Sequence, residues 1–208
     1  MKSVLISIRP EYVEKILNGE KTIEIRKTMP KCELPCKVYI YCTKPRQWLM
    51  DSPFSAFSPE QLWWQDGKLY NGKENSLWNP KFKNPCFLNG KVIAEFTLNV
   101  VEDFECASYD FRYLVENTKC CLTMDEVLDY SKGQDLYGWY IDHLKIYDKP
   151  KELSQFRKQN KCHYANYEDG CCFECCTFYD LGDCDGKYSK LEKPPQSWCY
   201  VEKAVEDE

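Results

Sequence analysis

The sequence predicts an α+β fold, a small mixed β-barrel of about five or six strands with a few peripheral helices. Three observations carry this expectation. Short β-rich runs recur along the chain, a strand, a short helix and a second strand fit into the first 27 residues, and no internal repeat appears. At 208 residues the chain suits one domain with one main core.

SVLISI (3–8) opens as a strand. Pro10 then sits where a first helical turn tolerates it, Glu11 complements the dipole, and Val13, Ile16 and Leu17 mark one helical face ahead of the stop at Gly19. In GEKTIEIRK (19–27) a period of two sends Ile23 and Ile25 to one face, and Thr22, Glu24 and Arg26 to the other. The isoleucine face is expected to build the barrel.

KVYIYCT (37–43) is the third strand. Residues 44–87 carry five prolines and four tryptophans and read as an aromatic-rich insertion, with hairpin-type turns at Gln65–Lys68 and Asn71–Gly72. KVIAEFTLNVV (91–101) is the longest clear strand. Helices are expected over 109–117 and, from a Thr123 cap with Glu126 three residues on, over 123–132. GWYIDHLKIYD (138–148) and KPPQSWCYVE (193–202) supply the remaining strands, and VEKAVEDE (201–208) is the one stretch expected to be disordered.

Composition narrows the function classes. No run approaches a membrane span and no secretion signal opens the chain, so a cytoplasmic protein with no membrane partner is expected, its 14 cysteines serving as reduced thiols or metal ligands. The net charge of -5 argues against wholesale coating of nucleic acid. Residues 1–50 nevertheless hold ten Lys and Arg against five Glu, which makes them +5 and the rest -10, so a local basic surface is available. The common hydrolase and nucleotide-binding signatures are missing, and His143, one of two histidines, reads as structural.

Glu24 and Arg26, about 7 Å apart along one strand face, can form a polar constellation that holds a planar base edge or a phosphate. The plain alternative is a surface ion pair. SIRPEYVEKILNGEKTIEIRK (7–27) resembles the opening of the ASCH domain family, and its Gly19, Lys21, Glu24 and Arg26 match the family's G-x-K-x-x-E-x-R element. KVIAEF, GWYIDHLKIYDKP and PPQSWCYVE resemble later parts of the longer members found in bacteria, phages and prophages, so the similarity covers about 1–43, 88–150 and 193–203.

The resemblance implies a PUA-like barrel over the whole of 1–208, with a cleft between the first helix and the barrel suited to RNA or a modified nucleoside. Lys21, Thr22, Glu24 and Arg26 would line it, with Lys21 and Arg26 on phosphate or base and Glu24 accepting from a base edge. Trp139 and Trp198 are the stacking candidates, core packing being the alternative for each. One ASCH branch deacylates modified cytidine with a Lys-Thr-x-Thr-x-Arg element. Lys21 and Thr22 match it but Glu24 replaces the second Thr, so the amidohydrolase alternative would rest on Lys21 as base with Glu24 orienting it or a water.

A cysteine-rich insertion at about 160–190 holds CHYANYEDGCCFECCTFYDLGDC (162–184). Cys172 and Cys175 form a C-x-x-C knuckle, and Cys162 or His163 with Cys184 would complete a structural zinc site, although Cys171 with Cys175 or Cys172 with Cys176 offers another register. Cys32 and Cys36 read as incidental. A third function class, a phage-encoded inhibitor, would use an exposed Trp63–Trp64 pair as its anchor to a protein partner.

Overall fold

A computed structural model describes residues 3–44, 60–75, 85–159 and 188–202. Its first strand, β1 (Ser3–Ile8), is buried on both faces: Val4, Ile6 and Ile8 enter the main core and Leu5 enters a second cluster with Tyr39, Phe156 and Val201. Such a strand belongs in the middle of a sheet. Helix α1 (Pro10–Leu17) follows, with Pro10 at its start and Val13 and Ile16 buried. It ends as the sequence predicts. Gly19 takes φ +74°, its N–H bonds Ile16 O, and Glu20 N–H bonds Lys15 O, a paired closure that needs a left-handed residue.

The chain then forms β2 (Ile23–Arg26) and β3 (Cys36–Cys42), the latter parallel to β1. Strands β4 (Leu62–Gln65) and β5 (Lys68–Asn71) make the expected hairpin, with Asp66 and Gly67 at φ +51° and +72°, and β6 (Cys86–Phe87) pairs with β4. Among the described residues Asn71–Gly72 opens no second ladder. The Gly72 N–H bonds Gln61 O and Asn71 Nδ2 reaches Glu14 of α1 at 2.6 Å, fixing the small sheet to the first helix.

Two expected strands break where the core demands a corner. Residues 91–101 divide into β7 (Val92–Leu98) and β8 (Val101–Phe104), and 138–148 divides into β9 (Leu136–Tyr140) and β10 (Asp142–Lys151). At each break the chain passes from one sheet to another. Tyr140 N–H bonds Val100 O and Asn99 Nδ2 bonds Asp142 at 2.9 Å, clasping the corners together, and His143 takes φ +49° just beyond. Alternation of side chains cannot reveal such corners, because the apolar pattern continues through them.

Helices α2 (Ser108–Asn117) and α3 (Met124–Ser131) lie where predicted, α3 with the Thr123–Glu126 capping box. Strands β11 (Arg157–Gln159), β12 (Tyr188–Lys190) and β13 (Trp198–Glu202) complete the described elements. A seven-stranded sheet runs β10-β7-β3-β1-β13-β11-β12, beside three-stranded sheets β2-β9-β8 and β5-β4-β6. The α+β architecture is the expected one, but its strands outnumber the five or six predicted, and among the described residues the ladders form three sheets rather than one ring. No helix among these residues is long and apolar enough to cross a membrane.

Trp63 overturns the expected exposed anchor. It is fully buried against Tyr70, ring centroids 6.0 Å apart, and Trp64 is half-buried against the main core. An indole removed from water in the monomer stabilises the fold and offers nothing to a partner.

Candidate functional site

Strand β2 is sandwiched, not half-exposed. Ile23 and Ile25 pack with Phe111, Leu114 and Val127 beneath α2 and α3, so the isoleucine face joins the helices to the sheet instead of filling the barrel interior. Glu24 and Arg26 turn the other way, toward Trp139 of β9 and the end of β1. Gly138, the partner of Ile25, permits this packing. A Cβ there would meet Ile23 Cδ1 at 2.5 Å and Phe104 at 2.8 Å.

The polar face closes into a buried network. Lys21 is 2% exposed, Glu24 6% and Arg26 8%. Glu24 Oε1 lies 3.0 Å from Arg26 Nη2, and Glu24 Oε2 lies 3.3 Å from Lys21 Nζ. Lys21 Nζ also donates to Cys120 O, while Arg26 Nη2 donates to Ser7 O at 2.7 Å and Nη1 to Ser197 Oγ at 3.4 Å. Two cations meet one carboxylate, so the network carries a net +1 within a chain whose total is -5.

Each partner of Lys21 is placed by local structure. Thr22 N–H bonds Lys119 O and Cys121 Sγ contacts Glu20 O, so residues 119–121 lie along 20–22 and present the Cys120 carbonyl to the ammonium. Arg26 spans the gap between two sheets: β1 and β2 share no ladder, and the guanidinium links them through Ser7 O.

Tyrosines from the flanking helices hold both ends. Lys21 Nζ lies 5.3 Å from the Tyr12 ring centroid and Lys27 Nζ 5.4 Å from that of Tyr130. Burial, reinforced by the Glu126 and Glu11 carboxylates, raises the Tyr12 phenol above its ordinary range, and burial likewise raises Tyr130. Both phenols therefore stay protonated at neutral pH and can donate. Glu126 is held below its usual range chiefly by the Thr123 backbone N–H, so it caps α3 as a carboxylate.

The residues singled out from sequence thus divide. Lys21, Glu24 and Arg26 come together. Thr22 is exposed and joins only through its backbone. Trp139 is completely buried, which corrects its expected role as an open stacking platform. Trp198 is half-buried, 5.7 Å from the Trp139 ring and 5.4 Å from that of Tyr200, with Nε1 bonded to Thr28 Oγ1 at 3.0 Å. Cys162, Cys172, Cys175 and Cys184 lie outside the described residues. Sequence reasoning missed Ser7, Tyr12, Cys120, Tyr130 and Ser197. Tyr12 alone left a signal, one helical turn before Ile16 on the buried side of α1.

No family model matches the chain. A curated protein of Zymomonas mobilis subsp. mobilis, named ASCH domain-containing ribonuclease, is 39% identical over 95 residues, which make up 46% of this chain and 56% of that protein. The match thus spans about half the length of that relative. The crystal structure of ASCH from Zymomonas mobilis superposes with a TM-score of 0.50 at 17% identity, covering 97% of this chain and 89% of that one. A tyrosine-to-phenylalanine variant of the same protein gives 0.50 at 15% identity over 98% and 93%. At such identities these structures show the fold.

Proposed function

We propose that this chain, which belongs to the ASCH domain family, binds RNA over the partly exposed Tyr12 of α1, Tyr130 of α3 and Trp198, which flank the buried Lys21–Glu24–Arg26 network. The observation that carries the reading is the surplus cation: Glu24 neutralises one of two buried positive charges, and a phosphate supplies the second counter-charge. Arg26 offers a planar fork suited to phosphate and Lys21 a point charge. The name of the Zymomonas relative, a ribonuclease, supports RNA as the ligand class and favours cleavage as a second reading. Tyr12 and Tyr130, protonated beside the cations, are the groups able to donate a proton there.

The test is fluorescence anisotropy of a short labelled single-stranded RNA, with gel and nucleoside product analysis of the same samples. Binding is expected to weaken about threefold between about 50 and about 200 mM salt, as one phosphate contact requires. Lys21→Met, which keeps the buried stem but removes the charge, is expected to weaken it about tenfold. Affinity indifferent to both changes contradicts the reading. RNA fragments would establish cleavage, and an acid released when the protein is incubated separately with an N-acylated cytidine would instead favour the amidohydrolase alternative.

Zinc is proposed for the cysteine-rich segment, with Cys162, Cys172, Cys175 and Cys184 as ligands that would fix the loop by tetrahedral thiolate coordination. The antiparallel register of β11 and β12 sets Gln159 beside Tyr188, so the two residues that flank the segment lie next to each other. Elemental analysis should find about one zinc per chain, lost in Cys172→Ser/Cys175→Ser. A metal-free wild type prepared without chelator contradicts this.

A further inference from the structure

Three polar atoms on the β2–β9 pair have no hydrogen-bond partner among the described residues: Glu24 Oε2, Arg26 Nε and Trp139 Nε1. Each belongs to a side chain at least nine-tenths buried, Trp139 entirely so. Buried polar atoms are nearly always paired, so three on one strand pair call for a common explanation.

The sheet sets their order. Glu24 stands directly opposite Trp139 in the antiparallel register, which puts both side chains on one face, and Arg26 follows two residues along that face. Glu24 therefore has an indole N–H donor across the ladder and a guanidinium N–H donor along its own strand, with its carboxylate acceptor between them. Lys21 Nζ, 3.3 Å from Glu24 Oε2, attracts that oxygen without a hydrogen bond and leaves it able to accept one.

We infer that this donor–acceptor–donor row reads the imide edge of a uracil base. That edge presents carbonyl, N–H and carbonyl in sequence. Trp139 Nε1 and Arg26 Nε donate to the two carbonyl oxygens, and Glu24 Oε2 accepts from the N–H between them. Other bases leave at least one atom of the row opposed. Cytosine offers a donor and two acceptors, guanine an acceptor and two donors, and adenine a donor beside an acceptor. The imide edge is occupied in a duplex, so the ligand is a single-stranded uridine, its phosphates facing the surplus charge of Lys21 and Arg26. The inference rests on the RNA-binding reading and narrows it from RNA to uridine.

The full chain is titrated with labelled oligo-U and oligo-C of equal length, and Trp139→Phe, which removes the indole N–H and keeps an aromatic ring, is titrated beside it. Oligo-U is expected to bind about tenfold tighter than oligo-C, and Trp139→Phe to lose most of that preference. Equal affinity for the two oligomers overturns the inference and leaves RNA binding standing, water then being what these atoms bond. Binding to neither overturns both. A preference retained in a folded Trp139→Phe protein also overturns the assignment of the row, and the wild-type comparison decides the matter without the variant if Trp139→Phe does not fold.

Discussion

Glu24→Ala is expected to destabilise the protein by about 3–5 kcal/mol, because it strands two buried cations at once. Lys21 and Arg26 keep 2% and 8% of their surface, so neither can recover water in place of the lost carboxylate. Lys21 retains the Cys120 carbonyl and Arg26 retains Ser7 O, which satisfy donors but do not cancel charge. Urea denaturation of wild type and variant gives the difference directly. A loss below about 1 kcal/mol would mean that the network behaves as a solvated surface pair.

Arg26→Ala is expected to cost a similar amount, about 3–5 kcal/mol, for a different physical reason. The guanidinium is the described link from β2 to the end of β1, and removing it leaves the Ser7 carbonyl without that donor and Glu24 with Lys21 alone. Arg26→Lys separates charge from shape. It keeps the charge but cannot span Glu24 Oε1, Ser7 O and Ser197 Oγ with one planar group, so it should recover only part of the stability, on the order of half. Full recovery by lysine, measured by the same unfolding experiment, would show that charge alone matters at this position.

These effects show where the sequence was informative. β1, α1 and β2 were legible because their signals are local: a period of two, a proline at the helix start, a glycine with positive φ at its end. The cluster of Lys21, Glu24 and Arg26 followed from the family element and the strand period together. What β2 packs against was not legible. A four-residue strand buried on both faces looks the same in sequence as one with a wet face, and only the arrival of α2 and α3 from 108–131 decides it.

The same distance in sequence hid other parts of the site. Ser7, Tyr12, Cys120, Tyr130 and Ser197 come from five separate segments, and each touches the network, or Lys27 beside it, through a backbone carbonyl, a hydroxyl or a ring. No spacing rule collects such groups. Trp139 and Trp63 were misjudged in one direction, because an aromatic residue in a strand pattern carries no mark of whether its ring is open or buried. The corners at Asn99–Val100 and Ile141 escaped for the reason that a bend in a strand leaves its alternation intact.

The most direct test of the proposed RNA site is ultraviolet crosslinking of a short 4-thiouridine RNA to the full chain, followed by peptide mapping. Crosslinks on peptides from residues 10–31 and on the Trp198 segment are the result expected if the Lys21–Glu24–Arg26 network is the binding site. Crosslinks confined to residues 44–87 or 160–190, with none on those peptides, would contradict it.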